Sequence, residues 1–482
     1  DPRKIELTKY ADVWLRHRPG TDIALINGLA HVILRDNLWD QEFVAARSEG
    51  FDEWKEIVEQ YDPKRVEQIT GVKAELIEEA AKLFGQAQRA AIVYAMGITQ
   101  HTSGTQNVLS LANLAILTGN VGREGTGVFP LRGQNNVQGS CDMGALPDYY
   151  PGYQFVNVLE NRKKFEQFWG TDLPEKPGLT LPKMMEAAHS GEIKAMYIMG
   201  ENPVLADPDA NHVIDALKNL DFMVVQDIFM TETAELAEVV LPVATFAEKE
   251  GTFTNTERRI QRVRQAISLR GNALPDWAVI VALANNMGCN WSYPRGPEEI
   301  MEEIARCTPS YGGISFKRLE TRGIQWPCPT PDHPGTVFLH KDTFTRGKGK
   351  FHGVHHIPAA EEPDEDYPLL LTTGRNLFQF HTGSMSRRSK LEQMRPEELM
   401  MIHPETAQQY QIEDGDYVQV ASRRGEVKSK TQVTDGIPPG MVFLTFHFKE
   451  TPTNRLTNRA LDPICNIPEL KVCAVKVKKA HN

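Results

Sequence analysis

The chain is 482 residues long, which at roughly 100–200 residues per domain allows about three domains. Hydrophobic residues make up 41% and charged residues 24%, ordinary globular values that exclude collagen, coiled coil and wholesale disorder. The 53 basic and 63 acidic side chains leave a net charge of −10, which argues against nucleic acid or an anionic membrane as partner.

Apolar stretches such as residues 238–247 and 278–284 are interrupted or too short to span a bilayer. No secretory apolar core follows Asp1-Pro2-Arg3-Lys4, and this opening reads like the middle of a domain, so a missing N-terminal part is expected. The six cysteines (Cys141, Cys289, Cys307, Cys328, Cys465 and Cys473) include no C-x-x-C pair and make no disulfide framework. A cytoplasmic setting is expected.

The first stretch is helix-rich. Arg18-Pro19-Gly20-Thr21-Asp22 reads as a turn with a capping side chain, opening an apolar helix to about Asp36. Asp52 is placed to cap the next short helix, and residues 73–84 carry a helical stripe at Leu76, Ile77, Ala80 and Leu83. Residues 90–96 (AAIVYAM) then read as a compact buried strand. It runs through Gly97-Ile98-Thr99-Gln100-His101 into a helix over 105–118, stopped by Gly119-Asn120. The pattern recurs as strand 195–199, turn Gly200-Glu201-Asn202-Pro203, helix to about Asn219, strand 222–225 and turn Gln226-Asp227. Such alternation predicts α/β units with parallel sheets, whose ligands sit at the carboxyl ends of the strands.

From about His340 the chain turns Pro-, Gly- and His-rich, and an acidic run over 361–366 reads as a linker. His352, His355 and His356 have the spacing of a metal cluster, but a flexible linker fits them better, and Arg387-Arg388 reads as a solvated charged pair. Segments 369–373, 417–421, 426–433 and 441–446 predict the strands of a separate, barrel-like domain.

The most unusual local sequence is Leu131-Arg132-Gly133-Gln134-Asn135-Asn136-Val137-Gln138-Gly139-Ser140-Cys141-Asp142-Met143-Gly144. Its glycines let the backbone approach a ligand, and its amides offer both donors and acceptors. The Arg132 guanidinium is suited to fork onto a small carboxylate. The same composition also suits a polar loop between domains. Asp276, in Pro275-Asp276-Trp277, is placed to cap the following helix.

This run resembles the molybdopterin oxidoreductases, as do Met96-Gly97-Ile98-Thr99-Gln100-His101, Met199-Gly200-Glu201-Asn202-Pro203, Val225-Gln226-Asp227-Ile228-Phe229 and Glu250-Gly251-Thr252-Phe253-Thr254-Asn255. Within them the chain is similar to the catalytic subunit of the molybdenum- or tungsten-dependent formate dehydrogenases, from Asp1 to about Lys478. The resemblance implies a metal held by the dithiolenes of two molybdopterin guanine dinucleotides, each lying across its own α/β unit. It implies an α/β cofactor-binding unit over 1–134, incomplete at its N-terminus, a second with helical returns over 135–340, and a linker with a β-barrel dinucleotide-binding cap over 341–482.

Residue by residue, it puts the carboxylate-binding arginine on Arg132 and a pterin contact on Gln134, with Met96 and Gln100 lining the cofactor. Asn202, Gln226, Asp227 and Asp276 match contacts to the nucleotide, Asn202 standing where some relatives have Asp. In the cap, Arg375, His381 and Thr382 are the matching candidates, followed by Asn454, Asn458 and Lys471. No metal ligand falls in this chain: the four-cysteine motif for a [4Fe–4S] cluster, and the cysteine or selenocysteine that ligates the metal, match points before Asp1. Cys141 is not that ligand.

The implied activity is two-electron oxidation of formate to carbon dioxide or its reverse, with iron–sulfur, flavin or hydrogenase subunits as electron partners. A nitrate or other oxo-transfer reductase of the same superfamily, a cofactor-free scaffold subunit and an inactive fragment remain the alternatives.

Overall fold

Alternation of side chains decides the C-terminal part. In Glu426–Val433, Val427, Ser429 and Thr431 are buried while Glu426 and Lys428 face solvent, as a strand with one packed face requires. Six such strands close into a barrel in the order Leu369–Gly374, Met441–Thr445, Leu399–Ile402, Glu426–Val433, Tyr417–Ala421 and Cys473–Lys479. Closure removes both sheet edges, and Leu371, Met400, Val418, Val420, Leu444 and Val475 fill the interior. The first two strands are parallel, with Gly374 opposite Thr445, so the residues that follow leave the barrel side by side. This computed structural model describes residues 1–480.

The barrel belongs to one of two units into which the chain divides. The first comprises Asp1–Phe129, Asn202–Asp215 and the chain from His340 onward; the second comprises Pro130–Glu201 and Ala216–Leu339.

In the first unit the helix Asp22–Arg35 buries ten of its 14 residues, as its long apolar run anticipates. Gly28 lets it approach Pro63–Thr70: a Cβ there would lie 2.9 Å from Val66 Cγ2. The helix start differs from expectation, because the Thr21 hydroxyl donates to the Arg18 carbonyl at 2.6 Å and caps nothing. Asp52 likewise lies inside the first turn of Phe51–Val58, and Gly50, at φ 75°, occupies the cap. The strand expected to be buried spans Ala91–Tyr94 and is only half covered. Among the described residues it pairs only with Gly127–Pro130, so Ile92 and Tyr94 join the helical core while Ala91 and Val93 face outward.

The expected helix after Pro203 is two, Pro203–Ala206 and Ala210–Lys218, separated by Asp207-Pro208-Asp209 with Asp209 at φ 50°.

The second unit holds a parallel sheet in the order Ala195–Met199, Phe222–Asp227, Val239–Pro242, with Met199, Gln226 and Leu241 in register. Beside it in sequence, Gly251–Thr254, Arg259–Val263 and Ile324–Gln325 form an antiparallel sheet over a core of Ile260, Tyr311, Phe316 and Cys328.

Three segments read as solvated are tied down. Asn113 clasps the backbone of His352, accepting from its N–H at 3.0 Å and donating to its carbonyl at 2.8 Å, and the Tyr61 hydroxyl accepts from His356 N–H at 2.8 Å. Arg387 pairs with Glu392 and Glu450 and lies 4.9 Å from the Phe448 ring centre. The acidic run opens on Glu361, which takes a two-pronged bond from Arg424 at 2.6 and 2.9 Å and accepts from Ala474 N–H at 2.9 Å. No helix among the described residues is long and apolar enough to cross a membrane.

Burial pushes the Glu361 carboxyl up, but Arg424, the Ala474 amide and Arg423 together hold it below its ordinary value. A depressed carboxyl contributes stability above its unfolded pKa and loses it as pH falls through the folded one. Glu361→Gln should therefore cost about 1–3 kcal/mol at neutral pH. In chemical denaturation the gap to the unmodified protein should shrink below about pH 4.

Candidate functional site

The second unit builds its polar cluster from the amide-rich run. Arg132 follows the strand Gly127–Pro130 and is fixed at both ends. Its N–H donates to Thr256 Oγ1 at 2.9 Å, and its Nε donates to Gln138 Oε1 at 3.0 Å. No hydrogen bond or carboxylate engages its two terminal nitrogens among the described residues, so an exposed N–H fork remains. Residues 137–142 form a short helix that puts Gln138 and Asp142 four apart on one face. Its glycine is sterically required: a Cβ on Gly139 would lie 2.3 Å from Asn136 Oδ1, which itself accepts from Thr254 N–H. Gln134 is half-buried just before this helix, and burial raises the Cys141 thiol pKa, keeping it a poor ligand and nucleophile.

At the carboxyl end of the parallel sheet, Gln226 is fully buried and its Nε2 donates to Asp276 Oδ1 at 2.9 Å. The Tyr197 hydroxyl donates to Gln226 Oε1, and Lys249 pairs with the other Asp276 oxygen. Asp276 is the first residue of the helix Asp276–Asn286, and Pro275, not Asp276, holds its cap position. Next to Gln226, Asp227 Oδ1 accepts from the N–H groups of Ile228 and Phe229, which shapes the turn. Gln226, Asp227 and Asp276 thus meet at one strand end.

In the first unit the cluster forms where the parallel barrel strands end. Arg375 follows Gly374 and lies between the rings of Phe380 and Phe446, 5.6 and 5.8 Å from their centres. Lys471 donates to the Thr373 carbonyl at 2.8 Å, and Arg3 lies 3.8 Å over the Phe443 ring. None of these three cations forms an ion pair among the described residues. Burial, then Arg3 and Arg375, pushes the Lys471 amine down to about 7. Burial lowers Arg3 to about 10 and lowers Arg375 as well. His381, at φ 46°, is pushed down to about 4 by burial and Arg375. His447 falls to about 4 chiefly by burial, with Arg375 adding to it. Thr382 is buried, its hydroxyl 3.0 Å from Ser384 Oγ.

Other predicted residues lie elsewhere in this unit. Met96 is exposed at the start of the turn Met96–Thr99, its sulfur accepting from Thr99, and Gln100 ends that turn half-buried. Asn202 is buried ahead of Pro203–Ala206. The Asn454 amide is committed to the carbonyls of Leu205 and Ala206 at 2.8 and 3.0 Å, and Asn458 donates to Val472 at 3.0 Å. These two asparagines brace the fold through their amide groups.

A buried donor-only cluster is unfavourable unless an anion answers it. Asn376 Nδ2 and Arg395 Nε are also buried without an acceptor. The donor set of Arg3, Arg375 and Lys471 therefore fits a polyanionic group such as a phosphorylated pterin dinucleotide.

Residues 1–286 match the family model described as molybdopterin oxidoreductase, and residues 369–474 match a molybdopterin dinucleotide binding domain. The chain belongs to the molybdopterin oxidoreductase family. It is 52% identical over 483 aligned residues to the F420-dependent formate dehydrogenase subunit alpha of Methanocaldococcus jannaschii, covering 99% of this chain and 71% of that protein. Against formate dehydrogenase H of Escherichia coli the identity is 40%, over 99% and 68% of the two chains. Among solved structures, acetylene hydratase from Pelobacter acetylenicus shares the fold with a TM-score of 0.74 at 22% identity, covering all of this chain and 73% of that one.

Beside the residues expected from the sequence, these clusters also hold Arg3, His447, Gln138 and Asp142. The i, i+4 spacing of Gln138 and Asp142 was a readable signal; nothing local marks Arg3.

Lys471 gives a pH test. Its folded value of about 7 lies below the ordinary 10.5. Over that window the unfolded chain binds a proton that the folded chain does not, so stability of the cofactor-free protein should rise with pH from about 7 to 10. Lys471→Met should flatten the rise in urea titrations across that range.

Proposed function

We propose that this chain is the catalytic subunit of a formate dehydrogenase, taking two electrons from formate to give carbon dioxide, or running the reverse. The observation that carries the reading is the Arg132 fork: Nε is held by Gln138, and the terminal nitrogens remain available to a bidentate carboxylate. The 48–52% identity to three formate dehydrogenase alpha subunits supports formate as that carboxylate.

Arg132 would bind and orient the substrate. Gln134 would contact a pterin, and Gln226, Asp227, Asp276 and Asn202 would hold nucleotide ends. Met96 and Gln100 would line the cofactor, while Arg375, Lys471, His381 and Thr382 would neutralise and seat its anionic part. Asn454 would act by bracing the segment that carries Asn202. The bis(molybdopterin guanine dinucleotide) group, with molybdenum or tungsten, supplies the two-electron acceptor when bound. The protein contributes position and charge. In this reading the metal-ligating cysteine or selenocysteine and a [4Fe–4S] cluster fall in the part of the relatives' length that this chain does not span. Electrons would leave through partner subunits in a cytoplasmic assembly.

A charge-assisted pair contributes about 1.5–3 kcal/mol. Arg132→Ala should therefore lower kcat/KM for formate about ten- to two-hundredfold in dye-coupled assays of the natively purified protein. An unchanged value would remove Arg132 from substrate binding. Reduction of nitrate in preference to oxidation of formate would overturn the substrate assignment.

A further inference from the structure

The Arg132 side chain is exposed, yet its recognition geometry depends on a buried assembly behind it. We infer that Gln138 is a positioning residue for Arg132, anchored by Asp142 with Tyr153 and Tyr311; the inference rests on the reading of Arg132 as the carboxylate-binding group.

Gln138 accepts from Arg132 Nε and spends its amide protons on Asp142 Oδ1 at 2.7 Å and the Tyr153 hydroxyl at 3.0 Å. These partners allow only one amide orientation. Reversing it would press Oε1 against a carboxylate and Nε2 against a guanidinium. Asp142, 1% exposed, also accepts from Tyr153 at 2.9 Å, and its second oxygen accepts from Tyr311 at 2.6 Å. Tyr311 in turn lies 3.1 Å from Thr254 Oγ1.

Every proton in this chain has an acceptor, and the carboxylate faces only donors among the described residues. Burial and Asp142 raise the pKa of both Tyr153 and Tyr311 above the ordinary phenol value, so both phenols stay protonated and keep donating at neutral pH.

The consequence reaches Arg132 through planarity. Nε lies in the guanidinium plane, so a bond on that edge fixes the plane and directs the opposite Nη1/Nη2 edge. An arginine with no such bond would spread over many rotamers and would bind a one-carbon carboxylate in few of them. Gln138 touches neither substrate nor cofactor in this account.

The test compares Gln138→Met, which keeps side-chain length and removes the amide, with Arg132→Ala and the double variant in the natively purified enzyme. Gln138→Met should raise KM for formate about tenfold while kcat changes less than about threefold. In the Arg132→Ala background it should add no further loss. Tyr311→Phe, remote from Arg132, should shift KM the same way by a smaller factor.

A readout independent of turnover is phenylglyoxal modification of Arg132, followed by peptide mass spectrometry. Formate should protect Arg132 in the unmodified enzyme and fail to protect it in Gln138→Met. Normal KM with intact protection in Gln138→Met, or an equal further loss in the Arg132→Ala background, would overturn the positioning role. An unaffected Arg132→Ala would instead overturn the reading of Arg132 itself.

Discussion

Unanswered positive charge is the constraint on which the first unit depends. Arg3, Arg375 and Lys471 come from the start of the chain, the end of a barrel strand and the stretch before the last strand. Ordinary folding would separate them or supply a carboxylate. Instead they are held by aromatic rings and a backbone carbonyl, and burial, with the two arginines adding to it, brings the lysine down to about 7. The fold therefore holds these donors in place before a ligand arrives, and an anion binding there recovers a cost already met in folding.

The second unit solves the opposite problem. Its buried charge is a carboxylate, Asp142, and it is satisfied from within by Gln138, Tyr153 and Tyr311. A satisfied buried charge is a rigid reference point. It lets an exposed arginine keep one orientation, while the strand-end group of Gln226, Asp276, Tyr197 and Lys249 shows the same economy of mutual satisfaction.

Much of this was legible in the sequence because periodicity is local. Four of the six barrel strands fall within a residue of their expected bounds, although Leu399–Ile402 and Cys473–Lys479 were not read, and the strand Ala195–Met199 falls where its apolar run predicts. Local reading failed where a partner far along the chain decides the outcome. The acidic run looked like a linker because Arg424, 63 residues on from Glu361, cannot be seen from it. Ala91–Tyr94 looked buried because an apolar run does not reveal that, among the described residues, the strand pairs only with Gly127–Pro130. The segment Asn202–Asp215 joins the unit that holds the barrel, and nothing in its composition says so. At the site, residue type picked out Arg132 and a strand-end turn pointed to Gln226, while Asp276 came from the family resemblance and Arg3 enters only through the tertiary fold.

The parallel pairing of Leu369–Gly374 with Met441–Thr445, and closure of the barrel by Cys473–Lys479, also set an order of events during synthesis. Contacts of such long sequence separation form late. A nascent chain can fold the helices before Gly127 early, but its barrel stays open until Cys473–Lys479 has left the ribosome. The cation cluster is completed at the same stage, because Lys471 lies just before that strand and meets Arg3 across the sequence. An anion that needs Arg3, Arg375 and Lys471 together is therefore held only once that strand is in place.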